Sequence, residues 1–131
     1  IRRRASDIEQ RKMDNLNNNA AYFKQIRKQV DDAYTILIGN NPLSSFGELL
    51  GETWNLKKKL TDGVSNPEID RMYDMAIKAG ALGGKLLGAG GGGFLLFYVP
   101  EECQPKVRNA LKNYYEIQFN INGQGSHIVY A

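Results

Sequence analysis

The sequence predicts an α+β domain, and three observations carry that prediction. Apolar residues recur at helical spacing through the first 79 residues. Two short apolar runs, residues 81–87 and 94–99, then read as strands, and between them lie five glycines in six residues, Gly88-Ala89-Gly90-Gly91-Gly92-Gly93. A further helix and an alternating segment complete the chain. Helices first and an antiparallel sheet later is the α+β order.

Taken in order, residues 5–15 read as a first helix, with Asn17-Asn18-Asn19 as its terminating loop. From Asn19 the residues Phe23, Ile26, Val30, Ala33, Tyr34 and Leu37 fall on one helical face, and Gly39-Asn40-Asn41-Pro42 stops the helix. The next helix starts near Ser44 or Ser45. Phe46, Leu49, Leu50, Thr53, Leu56 and Leu60 line one face of it. Lys57, Lys58 and Lys59 crowd its last turn, where cations suit the negative end of the helix dipole. Ser65-Asn66-Pro67-Glu68 opens another helix in one of two ways. Either Ser65 and Glu68 form a capping box, or Asn66 caps with Pro67 first in the helix. Ile69, Met72, Tyr73, Ala76 and Ile77 form its buried stripe, and Gly80 occupies the position where a left-handed residue ends a helix. After the strands, Pro100-Glu101-Glu102 opens a helix with Val107, Ala110, Leu111 and Tyr114 inward. Residues 116–121 alternate as a strand, and Asn122-Gly123-Gln124-Gly125 turns it into a hairpin with residues 127–131.

Composition narrows the classes of function. A length of 131 residues suits one domain. No apolar run approaches the roughly 20 residues of a membrane span. Arg2-Arg3-Arg4 is not followed by an apolar stretch and is not a secretory signal. The sequence begins at Ile1, without an initiator methionine, and reads as part of something longer. Cys103 is the one cysteine, which fits a reducing, cytoplasmic setting, and with the one histidine, His127, it cannot build a zinc site. The net charge of +3 comes from local clusters rather than a pervasive bias.

The glycine run is the chemically informative segment. A hairpin turn needs one or two glycines in two to five residues. Successive backbone N–H groups without Cβ atoms form a concavity suited to phosphate. The segment is not a P-loop, because no Gly-Lys-Ser/Thr closes it. The pattern G-x-G-x-x-G fits Gly88, Gly90 and Gly93, but a strand follows where the dinucleotide fingerprint requires a helix. Spacing therefore favours proximity to phosphate over a plain turn and names no enzyme.

Residues 79–94, AGALGGKLLGAGGGGF, resemble the third motif of the GHMP kinases. Phe46-Gly47-Glu48-Leu49-Leu50, Trp54 with Lys57-Lys58, Ser65-Asn66-Pro67-Glu68-Ile69-Asp70 and Gly125-Ser126 resemble the branch that acts at the anomeric hydroxyl. That branch holds D-glycero-D-manno-heptose 7-phosphate kinases and fucokinase-like enzymes. The resemblance implies that residues 1–131 are a C-terminal domain with a ferredoxin-like βα arrangement, and that the ATP-binding N-terminal domain lies outside this sequence. It implies ATP as cofactor, with Gly88, Ala89, Gly90, Gly91, Gly92 and Gly93 against its phosphates. It implies Mg²⁺ held mainly by that other domain, as well as a sugar phosphate substrate. The catalytic aspartate and the Pro-x-x-x-Gly-Leu-Gly-Ser-Ser loop also belong there, so no catalytic residue and no metal ligand is assigned to this sequence. The domain alone is expected to be inactive. The family also has a strand just ahead of the position of Ile1, and without it a sheet edge is unpaired.

Three further residues are candidates for substrate contact. Lys85 precedes the glycines by three residues and points either at the site or into solvent. Trp54 and Lys57 are neighbours on one helix face; they either stack on a sugar and grip its distal phosphate or lie in the core and in water, respectively. Arg2 to Arg4 read as a frayed terminus, His127 as structural, Cys103 as inert, and Asp31, Asp32, Glu101 and Glu102 as exposed. Two other classes compete. A nucleic-acid module is disfavoured because Phe94, Phe97 and Tyr98 do not alternate with Lys or Arg as a stacking platform requires. A non-catalytic small-molecule-binding regulatory domain is compatible with the same fold. Within the kinases, fucokinase, mevalonate kinase and galactokinase activities are the alternatives to heptose 7-phosphate.

Overall fold

The computed structural model describes residues 2–121 and 123. Helices α1 (Arg2–Asp14), α2 (Leu16–Ile38), α3 (Ser44–Lys58) and α4 (Pro67–Lys78) precede strands β1 (Gly83–Leu86) and β2 (Leu95–Tyr98). A 3₁₀ turn at Glu101–Cys103 then leads into α5 (Gln104–Ala110). The strands pair antiparallel, Gly83 opposite Tyr98 through Leu86 opposite Leu95. This is the α+β architecture expected from the order of elements.

Glycines set how closely the sheet sits on its helix. A Cβ on Gly83 would lie 2.0 Å from the carbonyl oxygen of Gly47 and 2.9 Å from the amide nitrogen of Gly51. A Cβ on Gly47 would lie 2.6 Å from the Tyr98 ring. Gly47 and Gly51 are one helical turn apart, so the backbone of β1 rests directly on a bare face of α3. One core cluster, Ile8, Trp54, Val64, Ile69 and Leu86, joins α1, α3, the α3–α4 connection, α4 and β1. A second, Ala76, Ala81 and Val107, holds α4 to α5 with Phe97, Val99 and Leu111 packed around it.

Local chemistry explains the element ends. The Asn66 side chain accepts from the amides of Glu68 and Ile69 at 3.0 Å, so Asn66 is the N-cap and Pro67 opens α4. Ser65 donates instead to Asp70 at 2.6 Å. Gly80 follows α4 with φ +112°, and Cys103 packs where its Cβ would be.

Four expectations are corrected. The break between the first two helices is at Asn15, and Asn17 to Asn19 are helical. Asn19 is buried and donates to the carbonyl of Leu60 at 2.6 Å, a tertiary bond that outweighs its weak helix propensity. The inner face of α2 keeps Phe23, Ile26 and Ala33 of the expected stripe but not the rest. Val30, Tyr34 and Leu37 are exposed, while Gln29 lies inward with its Oε1 2.9 Å from the Thr53 hydroxyl. The lysines ending α3 do more than suit the helix dipole, although Lys59 is exposed. Lys57 is bonded to backbone, and Lys58 and Lys59 lie over the Trp54 and Tyr22 rings at 5.7 and 5.8 Å. Residues 116–121 form no ladder among the described residues, and Ile117, Phe119 and Ile121 are exposed. Alternation alone does not make a strand without a partner, and the expected partner, residues 127–131, lies outside the described residues, as do Asn122, Gln124 and Gly125 of the turn before it. The same holds for Gly125, Ser126, His127 and the side chains of Arg2 to Arg4.

Candidate phosphate-binding loop

The glycine segment is an arch between paired strands, closed at its base by the Leu87 amide donating to the Phe94 carbonyl at 2.9 Å. Gly88, Gly90, Gly91 and Gly93 have φ of +82°, +123°, +72° and +126°, conformations that side chains with a Cβ rarely adopt. Gly90 also lies against the Val64 backbone, where a Cβ would be 2.7 Å from the Val64 Cα. Gly92 differs from these. It has neither a positive φ nor any heavy atom within 4 Å of a Cβ position.

The carbonyls of the arch are held from three directions. Lys57 donates to the carbonyl of Leu86 at 3.0 Å and to that of Gly88. Lys12, only 7% exposed on α1, donates to the Ala89 carbonyl at 2.7 Å and to Glu9 at 2.8 Å. Asn66 reaches the Gly91 carbonyl at 3.5 Å. The amides are treated differently. Gly91 donates to the Val64 carbonyl at 2.9 Å, whereas Gly88, Ala89, Gly90, Gly92 and Gly93 find no acceptor for their N–H groups among the described residues. Gly88, Gly92 and Gly93 are exposed.

Electrostatics follow from this packing. Burial, then the charges of Lys12 and Lys85, lower the Lys57 ammonium to a pKa of about 8, with Glu9 opposing. Lys85 is half-buried on β1 opposite Leu96, and its side chain makes no hydrogen bond or ion pair with the described residues. The arch is therefore a strip of unmatched N–H donors backed by cations, an arrangement that suits a phosphate group.

The candidate residues thus divide. Gly88 to Gly93 and Lys85 lie together at one end of the sheet. Trp54 does not join them as a stacking surface. It is fully buried in the core cluster, its indole N–H has no acceptor among the described residues, and no face of its ring meets solvent. Lys57 is not a free grip for a distal phosphate, because loop carbonyls occupy its amine. Lys12 was not legible as a site residue, since its acceptor lies 77 residues away. Its only local signal is a lysine four residues after Ile8 on the inner face of α1. Among the described residues, no group of three or more His, Cys, Asp or Glu side chains could hold a metal ion.

Residues 36–117 match the family model described as GHMP kinases C terminal. The chain belongs to the GHMP kinase C-terminal family. This GHMP kinase domain is 35% identical over 117 residues to a D-glycero-alpha-D-manno-heptose 7-phosphate kinase of Campylobacter jejuni, covering 86% of this chain and 33% of that one. It is 44% identical over 63 residues to an L-fucokinase/L-fucose-1-P guanylyltransferase of Bacteroides fragilis, covering 48% of this chain and 6% of that one. It is 38% identical over 96 residues to a mevalonate kinase of Methanothermobacter thermautotrophicus, covering 70% and 30%. The GHMP domain thus spans about a third or less of the length of these relatives. Among the described residues no helix is long and apolar enough to cross a membrane.

Proposed function

We propose that residues 1–131 are the C-terminal domain of an ATP-dependent kinase. The acceptor is the anomeric hydroxyl of a sugar or sugar phosphate, with D-glycero-D-manno-heptose 7-phosphate as substrate and the cytoplasm as setting. The carrying observation is the glycine arch, which fits the phosphates of ATP: the amides of Gly88, Gly92 and Gly93 are exposed and without an acceptor among the described residues, these three positions carry no Cβ, and Lys85 stands beside them. Similarity to a heptose 7-phosphate kinase over 86% of the chain supports the acceptor.

In this reading the hydroxyl oxygen forms a bond to the γ-phosphorus, the bond to the β-phosphate oxygen breaks, and ADP leaves. Such transfer depends on positioning and on stabilising phosphate charge. The arch amides and Lys85 supply that stabilisation from this domain. Magnesium does not fit the described residues, which offer no acidic cluster, so no step is assigned to it here. The base that takes the hydroxyl proton is likewise not assigned to this chain, and the domain alone is expected to be inactive.

The test is a coupled ADP-release assay of the enzyme carrying this domain across a sugar panel. Heptose 7-phosphate is expected to outcompete fucose. Since Lys57 is committed to the loop and Lys85 to the transferred phosphate, discrimination by a distal phosphate depends on other cations of the enzyme. Turnover of fucose with none of heptose 7-phosphate sinks the substrate assignment; turnover of mevalonate alone moves the domain to a different acceptor class.

A further inference from the structure

The arch has few contacts that could decide which way its peptide groups face. Glycines offer no side chains to do it, and positive φ values are permissive rather than directive. Two amines and an amide from outside the loop, with the Val64 carbonyl that accepts from Gly91, supply the direction. In a trans peptide the C=O of one residue and the N–H of the next lie in one plane and point oppositely, and the described chain has no cis peptide bond. Holding the Gly88 carbonyl on Lys57 therefore turns the Ala89 N–H away from α3. Holding the Ala89 carbonyl on Lys12 turns the Gly90 N–H away from α1. The Gly91 carbonyl, facing Asn66, turns the Gly92 N–H away from the α4 cap. The amides so turned are among those left without an acceptor.

We propose that Lys57 and Lys12 are positioning residues of the glycine arch: by taking the carbonyl oxygens of Leu86, Gly88 and Ala89 they fix the direction of the Ala89 and Gly90 peptides and turn the half-buried Ala89 amide toward the ligand phosphate, while Gly90 itself stays buried against Val64. The inference rests on the phosphate reading for the identity of the ligand, but the orientation of the loop is measurable without one. Because hydrogen bonds from a charged donor are the strong ones, the device is strongest while Lys57 carries its proton. The charged groups facing it are Lys12 and Lys85, which favour proton loss, and Glu9, which opposes it. Loss of the proton as pH rises through about 8 weakens the donor and removes a cation from behind the phosphate, so both effects have the same sign.

The experiment is amide NMR of the enzyme carrying this domain, with the glycine arch selectively labelled, as wild type, Lys57→Met, Lys57→Arg and Lys12→Met, first without ligand and then titrated with ATP. In the wild type, the Gly88 to Gly93 amides are expected to be ordered, and the Ala89 signal to shift with ATP. Lys57→Met is expected to loosen the arch and weaken ATP binding on the order of tenfold, the effect of one charge-assisted hydrogen bond. Lys57→Arg is expected to restore order and to remove the weakening seen in the wild type between pH 7 and 9. Lys12→Met tests the neighbouring peptide independently and covers the case in which Lys57→Met does not fold. An arch equally ordered in both methionine variants overturns the positioning role, whatever ATP does. An arch that loosens in the variants while its wild-type amide signals do not move with bound ATP overturns the phosphate reading and leaves the orientation of the loop established.

Discussion

Gly90 and Gly92 separate what the fold needs from what a ligand would need. At Gly90 the backbone is left-handed and the Val64 Cα stands 2.7 Å from a Cβ position, so Gly90→Ala is expected to cost about 1–3 kcal/mol through strain and contact. At Gly92 neither constraint applies. Gly92→Ala is expected to leave stability unchanged or raise it by roughly 0.4–1 kcal/mol, because alanine restricts the unfolded chain. If the arch lies against a phosphate, the same methyl group intrudes on the ligand, and nucleotide affinity falls while the denaturation midpoint does not. Urea titration beside ATP titration of the two variants reads both quantities. A Gly92→Ala domain with unchanged nucleotide affinity would show that this glycine answers neither to the fold nor to the ligand.

At the scale of elements, the decisive contact is β1 on α3, where three glycines let backbone meet backbone. A Cβ at Gly83 would lie 2.0 Å from the Gly47 carbonyl oxygen, and no flexible side chain is there to yield. Gly83→Ala must lift the strand off the helix and is expected to destabilise the domain by at least about 2 kcal/mol, within the range of overpacked cores. Lys57 spans the same two elements, so lifting β1 also moves the Leu86 carbonyl from its donor. Thermal denaturation of Gly83→Ala checks the first effect; a melting temperature equal to wild type would show that the strand does not depend on that approach. The elements that were legible in the sequence carry their own chemistry: Asn66-Pro67 at the start of α4, Gly80 after it, and the two apolar runs around the glycines. The elements misread depend on distant partners. Asn17 to Asn19 read as a loop by local preference, and only the Leu60 carbonyl, 41 residues away, makes Asn19 an interior helical residue. The inner face of α2 was ambiguous because apolar residues occur on both sides of it, and the Gln29–Thr53 contact places a polar residue on the packed side.

Across the whole molecule, the glycine arch is tied to the main core through Gly90 and Gly91 and is exposed at Gly88, Gly92 and Gly93. The Gly91 amide bonds to Val64, and a Cβ there would lie 2.8 Å from Ile8 Cδ1; both neighbours belong to the cluster that contains Trp54 and Leu86. This arrangement explains which part of the site could be read in advance. The glycines announced themselves by composition, whereas Lys12 and the true place of Trp54 depend on how α1, α3 and β1 converge, which no local pattern encodes. It also sets an expectation for stability. If Gly91 is part of the core, its amide exchanges with solvent only when the core opens, at a rate matching the Leu82 and Leu87 amides that donate to Tyr98 and Phe94. The Ala89 and Gly92 amides, with no acceptor among the described residues, exchange freely in the same molecule. Trp54→Ala empties the centre of the cluster at a cost of about 3–5 kcal/mol, against roughly 5–15 kcal/mol for a whole domain. It is expected to lower the protection of Gly91, Leu82 and Leu87 together, as followed by hydrogen–deuterium exchange. Protection that persists at Gly91 while the strand amides lose theirs would mean that the arch holds its shape without the core. Its order would then come from Lys12, Lys57 and Asn66 alone.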